Sequence, residues 1–103
     1  MEGHSLISPE ILASYAADAA LEIGDVRRLV GAARSRHDGV RIGTTDGTLS
    51  VELHLALEWG ANAAVVGRDV QVRVAEYLGR MTDLAVGRVD VVVDEVGPPP
   101  VAS

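Results

Sequence analysis

With 103 residues and no cysteine, the chain has the size of one domain, and disulfides, thiolate metal sites and a cysteine nucleophile are all excluded. Its 48% apolar fraction contains no Phe, two Tyr and one Trp, so the core is aliphatic and a platform for stacking bases or sugars is nearly absent. A formal charge of −6 argues against general nucleic-acid binding, which needs several uncompensated cations on phosphates.

Residues 1–6 read as a flexible N-terminus without the basic start and apolar run of a secretory signal. No uninterrupted apolar stretch approaches the ~20 residues needed to cross a bilayer, so direct membrane insertion is not expected. A single domain over residues 7–96 begins with Ser8-Pro9-Glu10: a cap, a proline suited to the first turn, and an acid at the positive end of the helix dipole. Ile11, Leu12, Tyr15, Ala16, Ala19, Ala20 and Ile23 follow at helical spacing, with Asp18 and Glu22 on the other side, until Gly24-Asp25 ends the helix. The many alanines permit close approach to a sheet.

Val26 to Val30 predicts a short strand, residues 32–39 a basic loop, and Val40-Arg41-Ile42 a second strand. Asp46-Gly47 can take the positive φ of a hairpin turn. Beyond it Leu49, Val51, Leu53, Leu55, Leu57 and Trp59 alternate with Ser50, Glu52, His54, Ala56 and Glu58, which is a strand with one core face. Asn62 caps a second helix running to about Met81, with Val66, Val70, Val74, Tyr77, Leu78 and Met81 inward. Arg68, Asp69, Arg73, Glu76 and Arg80 lie outward. Val89, Val91 and Val93 then alternate as a last strand, and residues 97–103 form a proline-rich tail. The order α-β-β-β-α-β predicts an α+β two-layer sandwich, with two helices on one face of a small, mainly antiparallel sheet.

The sequence carries no motif for catalysis or for cofactor binding. No serine lies in a Gly-x-Ser-x-Gly elbow, no glycine pattern makes a dinucleotide or phosphate loop, and there is no lysine to reach a phosphate. His54, Glu52 and Glu58 share one strand face, but residues on one strand do not converge on a metal without neighbours from others. Asp94-Glu95 has no nameable partner as an acid–base couple. No catalytic residue, metal or cofactor is therefore expected.

Interaction surfaces are the remaining candidates. Arg27, Arg28, Arg34, Arg36 and Arg41 fall in one stretch whose only acid is Asp38, either a solvated loop and strand edge or a dock for anions, nucleic acid included. Trp59 ends the long strand, where it either closes the core or anchors a partner. Val92 breaks the polar face of the last strand, and with Ala56 it could form a small apolar patch for self-association.

Ile7-Ser8-Pro9-Glu10-Ile11-Leu12, Ala19-Ala20-Leu21-Glu22-Ile23, Leu49 to Leu57 with Glu58-Trp59-Gly60, Val70-Gln71, Met81-Thr82-Asp83-Leu84 and Val89-Asp90-Val91 occur in an order that resembles the alkaline shock protein family of envelope stress response proteins. The departure lies between Val30 and Val40, where an arginine-rich loop replaces a longer glycine-rich insertion. The resemblance implies a non-enzymatic bacterial stress-associated scaffold or adaptor, cytoplasmic and homo-oligomeric. In some relatives it is held at the inner face of the membrane by a membrane-anchored partner.

Overall fold

The computed structural model describes residues 8–31, 39–99 and 101. Ser8 Oγ accepts the Ile11 N–H at 3.1 Å, which starts helix α1, Pro9–Leu21. Ala16, Ala17, Ala19 and Ala20 have no exposed surface, so the helix backbone lies close against its neighbours. Ile11 departs from expectation and is 47% exposed. It stands in line with Asp18 and Glu22 at helical spacing, on the side that turns from the core.

The strands are β1, Val26–Leu29; β2, Val40–Thr45; β3, Thr48–Leu57; and β4, Ala85–Val96. Asp46 and Gly47, at φ 52 and 77, join β2 to β3 in a turn with both central residues left-handed, the geometry that matches the twist of paired strands. Helix α2, Ala63–Met81, carries the chain from β3 to β4. Its cap is Asn62, whose Oδ1 accepts the Val65 N–H at 3.1 Å.

β3 is the centre of the sheet. β1 and β2 both run antiparallel to it, β1 opposite Leu55 to Leu57 and β2 opposite Thr48 to Leu53. β4 pairs with β3 in parallel, Thr48 opposite Ala85 through Leu57 opposite Val96, because a helical crossover returns the chain in the same direction. The ladder continues one residue past β4, where Gly97 N–H donates to Leu57 O at 2.6 Å.

Both helices cover one face. α1 packs on β1 and β2, α2 on β4, and the helices on each other, with Tyr15 edge-on to Tyr77 at 5.9 Å and 80°. The inward row of β3, Leu49, Val51, Leu53, Leu55 and Leu57, meets Val66, Val70, Val74 and Leu78 of α2 in one buried cluster. Met81, expected inward, is 42% exposed, since it closes the last turn of α2 beyond the Val66–Leu78 stripe. β3 ends at Leu57, two residues before the expected end. Glu58 N–H donates to Asp25 O at 2.8 Å, and Gly60 takes φ 86, so the chain turns away. Trp59 consequently does not close the core and is 56% exposed.

Candidate functional site

Among the described residues no helix covers the second face of the sheet, and its chemistry follows from strand alternation and register. β3 contributes Ser50, Glu52, His54 and Ala56; Arg41 lies opposite Glu52 on β2 and Arg28 opposite Ala56 on β1. β4 sets Arg88 beside Ser50, Asp90 beside Glu52, Val92 beside His54 and Glu95 beside Ala56. The arginines of β1 and β2 form one margin and the carboxylates of β4 the other.

His54 is the centre. Its Nε2 is 2.6 Å from Glu52 Oε2 and its Nδ1 is 2.8 Å from Asp94 Oδ2. The hydrogen bond to Glu52, then that to Asp94, raises the imidazole pKa from its ordinary 6.5 against the opposing effect of burial. With both nitrogens on carboxylates, the ring in its protonated form donates twice. The backbone of the same residue joins two strands: His54 N–H donates to Gly39 O at 3.0 Å, and Val30 N–H donates to His54 O at 2.8 Å. β1 and β2 therefore meet end to end here. Gly39 is required at that meeting, because a Cβ on it would stand 2.6 Å from Val30 O and 2.9 Å from Leu29 Cβ.

Further ion pairs cross the face. Arg28 Nη2 lies 2.5 Å from Glu95 Oε1, and Arg88 Nε 2.7 Å from Asp90 Oδ2. Ala56 sits between Arg28 and Glu95 in register, so their pair spans it and leaves it fully buried. The expected Ala56–Val92 apolar patch is thus absent, and Val92 is exposed alone at 37%. Arg27 reaches Glu58 at 3.7 Å, while Arg41 has no ion-pair partner among the described residues. Arg34 and Arg36 lie outside the described residues. Arg41, Gly43, Ser50, Glu52, Arg88 and Asp90 line a shallow open depression on this face; its floor is set by Gly43, where a Cβ would be 2.7 Å from Ser50 Oγ.

The role of Asp94 is not visible in sequence, where His54 groups with Glu52 and Glu58 on its own strand. Only the register of β4 brings Asp94 to the imidazole. Glu52 and Asp94 occupy opposite sides of the ring and do not converge on a point. Among the described residues no group of three His, Asp or Glu is placed to hold a metal ion.

The model of the ASP23 family, of cell envelope-related function, matches residues 1–98. The chain belongs to this family. It is the alkaline shock protein family that the ordered motifs of the sequence resemble, and the match extends over both helices and all four strands. No curated protein sequence matches. Among solved structures, a variant of the MamM CTD superposes with a TM-score of 0.68 at 15% identity, covering 88% of this chain and 100% of that one. A MamM CTD variant in a cadmium form gives 0.67 at 14%, covering 85% and 98%. One in a nickel form gives 0.66 at 13%, covering 86% and 99%. At such identities the likeness is one of fold: an alkaline shock family chain carries an α+β arrangement also found in that domain.

Proposed function

We propose that the chain is a non-catalytic, cytoplasmic adaptor of the cell envelope that acts by protein–protein contacts and self-association in the response to envelope or alkaline stress. The observation that carries the proposal is the family match over residues 1–98. The uncovered face supports it, since a broad strand surface of alternating charge around His54 is suited to recognising another protein by complementary charge. Trp59, 56% exposed at the end of β3, supplies a large anchor beside that face.

Among the described residues no helix is long and apolar enough to cross a membrane, so the envelope role is proposed to run through a membrane-anchored partner at the inner face. The alternative, nucleic-acid binding through Arg27, Arg28, Arg34, Arg36 and Arg41, loses support from the pairing of Arg27 with Glu58 and of Arg28 with Glu95.

The test combines cell fractionation with affinity capture and sizing of the pure chain. We expect the chain to sediment with membranes, to be released by a high-salt wash that leaves inserted proteins behind, and to be captured with a membrane protein. Trp59→Ala and Arg41→Glu should weaken that capture while preserving the fold. A monomeric chain that stays in the soluble fraction and retains no protein partner would sink the proposal.

A further inference from the structure

β4 is an edge strand. It pairs with β3 along its whole length, and no other strand among the described residues lies on its far side. Twelve residues of edge backbone, Ala85–Val96, are thus open to a further strand, and such an edge is a template for pairing unless charge, bulges or cover block it. Its cover is slight: Gln71 Nε2 of α2 donates to Val89 O at 3.0 Å.

The side chains of β4 divide by face. Arg88, Asp90, Asp94 and Glu95 stand on the open face, while Val86, Val89, Val91 and Val93 pack toward the helices. Two exposed valines adjoin the edge near its opposite ends: Val72 of α2, 52% exposed in a groove with Ala75 and Val86, and Val96, 48% exposed. The register also skips twice along β4, at Gly87 and at Asp94, which are bulges one near each end.

We propose that two copies of the chain join antiparallel along β4 about a two-fold axis at Val91, forming one continuous sheet with all helices on one side. The proposal rests on the self-association just put forward and says where it occurs. In an antiparallel pair directly opposite residues share a face, so an axis at Val91 sets Val91 against Val91, Val89 against Val93 of the second copy, and Val86 against its Val96. The bulge at Gly87 meets the bulge at Asp94, so neither spoils the other strand's ladder. Arg88 meets Asp94 and Glu95 of the second copy, twice over. Val96 of the second copy comes over the groove of Val72 and Ala75.

Neighbouring registers lose these matches. Because faces alternate, the axis moves one residue at a time along the strand while each pairing shifts by two. At Asp90 it would set Asp90 against Asp90, and at Val92 it would set Asp90 against Asp94 twice, each a like-charge contact. Charge and bulge position thus select the same axis.

The absence of cysteine makes the test direct. Opposed Cα atoms in an antiparallel pair lie about 4.5–5.5 Å apart, within disulfide reach. Under mild oxidation of the full chain, Val91→Cys should cross-link with itself. Val89→Cys and Val93→Cys should cross-link when mixed and neither should do so alone. By sedimentation, Arg88→Glu should weaken the dimer by roughly tenfold, as should Asp94→Arg. Their equimolar mixture should recover it, since each mutant side chain then faces its opposite. A dimer in which Val91→Cys stays unlinked, or Val89→Cys links with itself, overturns the edge and leaves the self-associating function standing. A chain that is monomeric throughout overturns both.

Discussion

Leu53 and Ser50 lie on opposite faces of β3, one buried and one exposed, and the fold predicts very unequal consequences for them. Leu53 has no exposed surface and lies in register between Val40 of β2 and Val91 of β4, under the helices. Replacing it by alanine removes three buried carbons, worth about 2 kcal/mol in transfer free energy, and leaves a cavity that a sheet clamped on both sides closes poorly. The expected loss is about 3–4 kcal/mol, within the range of buried Leu→Ala changes. Against a total of about 5–15 kcal/mol for a domain of this kind, that is a large fraction. At about 4–8 °C per kcal/mol the melting temperature should fall by more than ~12 °C. Urea denaturation followed by circular dichroism should show a lower midpoint at an unchanged slope. Ser50→Ala, on the open face of the same strand, should change stability by less than about 0.5 kcal/mol. A loss below about 1 kcal/mol for Leu53→Ala would refute the placement of Leu53 at the centre of the core.

The imidazole of His54 has a folded pKa above the ordinary 6.5 because Glu52 and Asp94 accept from its protonated form. Its contribution is present in full below that unfolded value and is lost as pH rises through the folded one. Urea midpoints of the wild type should therefore decline across neutrality more than those of His54→Gln, and parallel curves would contradict the geometry. Gly39→Ala should destabilise by about 1–3 kcal/mol in the same assay, because its Cβ would press on the Val30 carbonyl and Leu29. Asn62→Ala, which removes the cap on Val65 N–H, should cost about 1 kcal/mol, and an effect near zero would show the cap to be dispensable.

The two helix caps, the Asp46-Gly47 turn and the inward row of β3 are legible in the sequence because each is set by neighbours a few residues apart. A serine or asparagine finds its own N–H groups three residues on, and a strand with one buried face alternates whatever lies beside it. The absence of cysteine and of any phosphate-loop motif is equally local. Residues at element ends depend on where the rest of the molecule stops. Trp59 continues the alternation but lies past the last ladder bond of β3, and Met81 continues the helical stripe beyond the end of the core.

Lateral relations belong to the tertiary structure alone. The parallel pairing of β4 follows from the path of α2, and with it come the bond from Asp94 to His54 and the burial of Ala56 beneath Arg28 and Glu95. These partners stand 40 and 67 residues apart in the chain, and no periodicity links them. Strand alternation determines which way a side chain faces; the register of the neighbouring strand decides what it meets there, and that register is set by packing of the whole sheet against its helices.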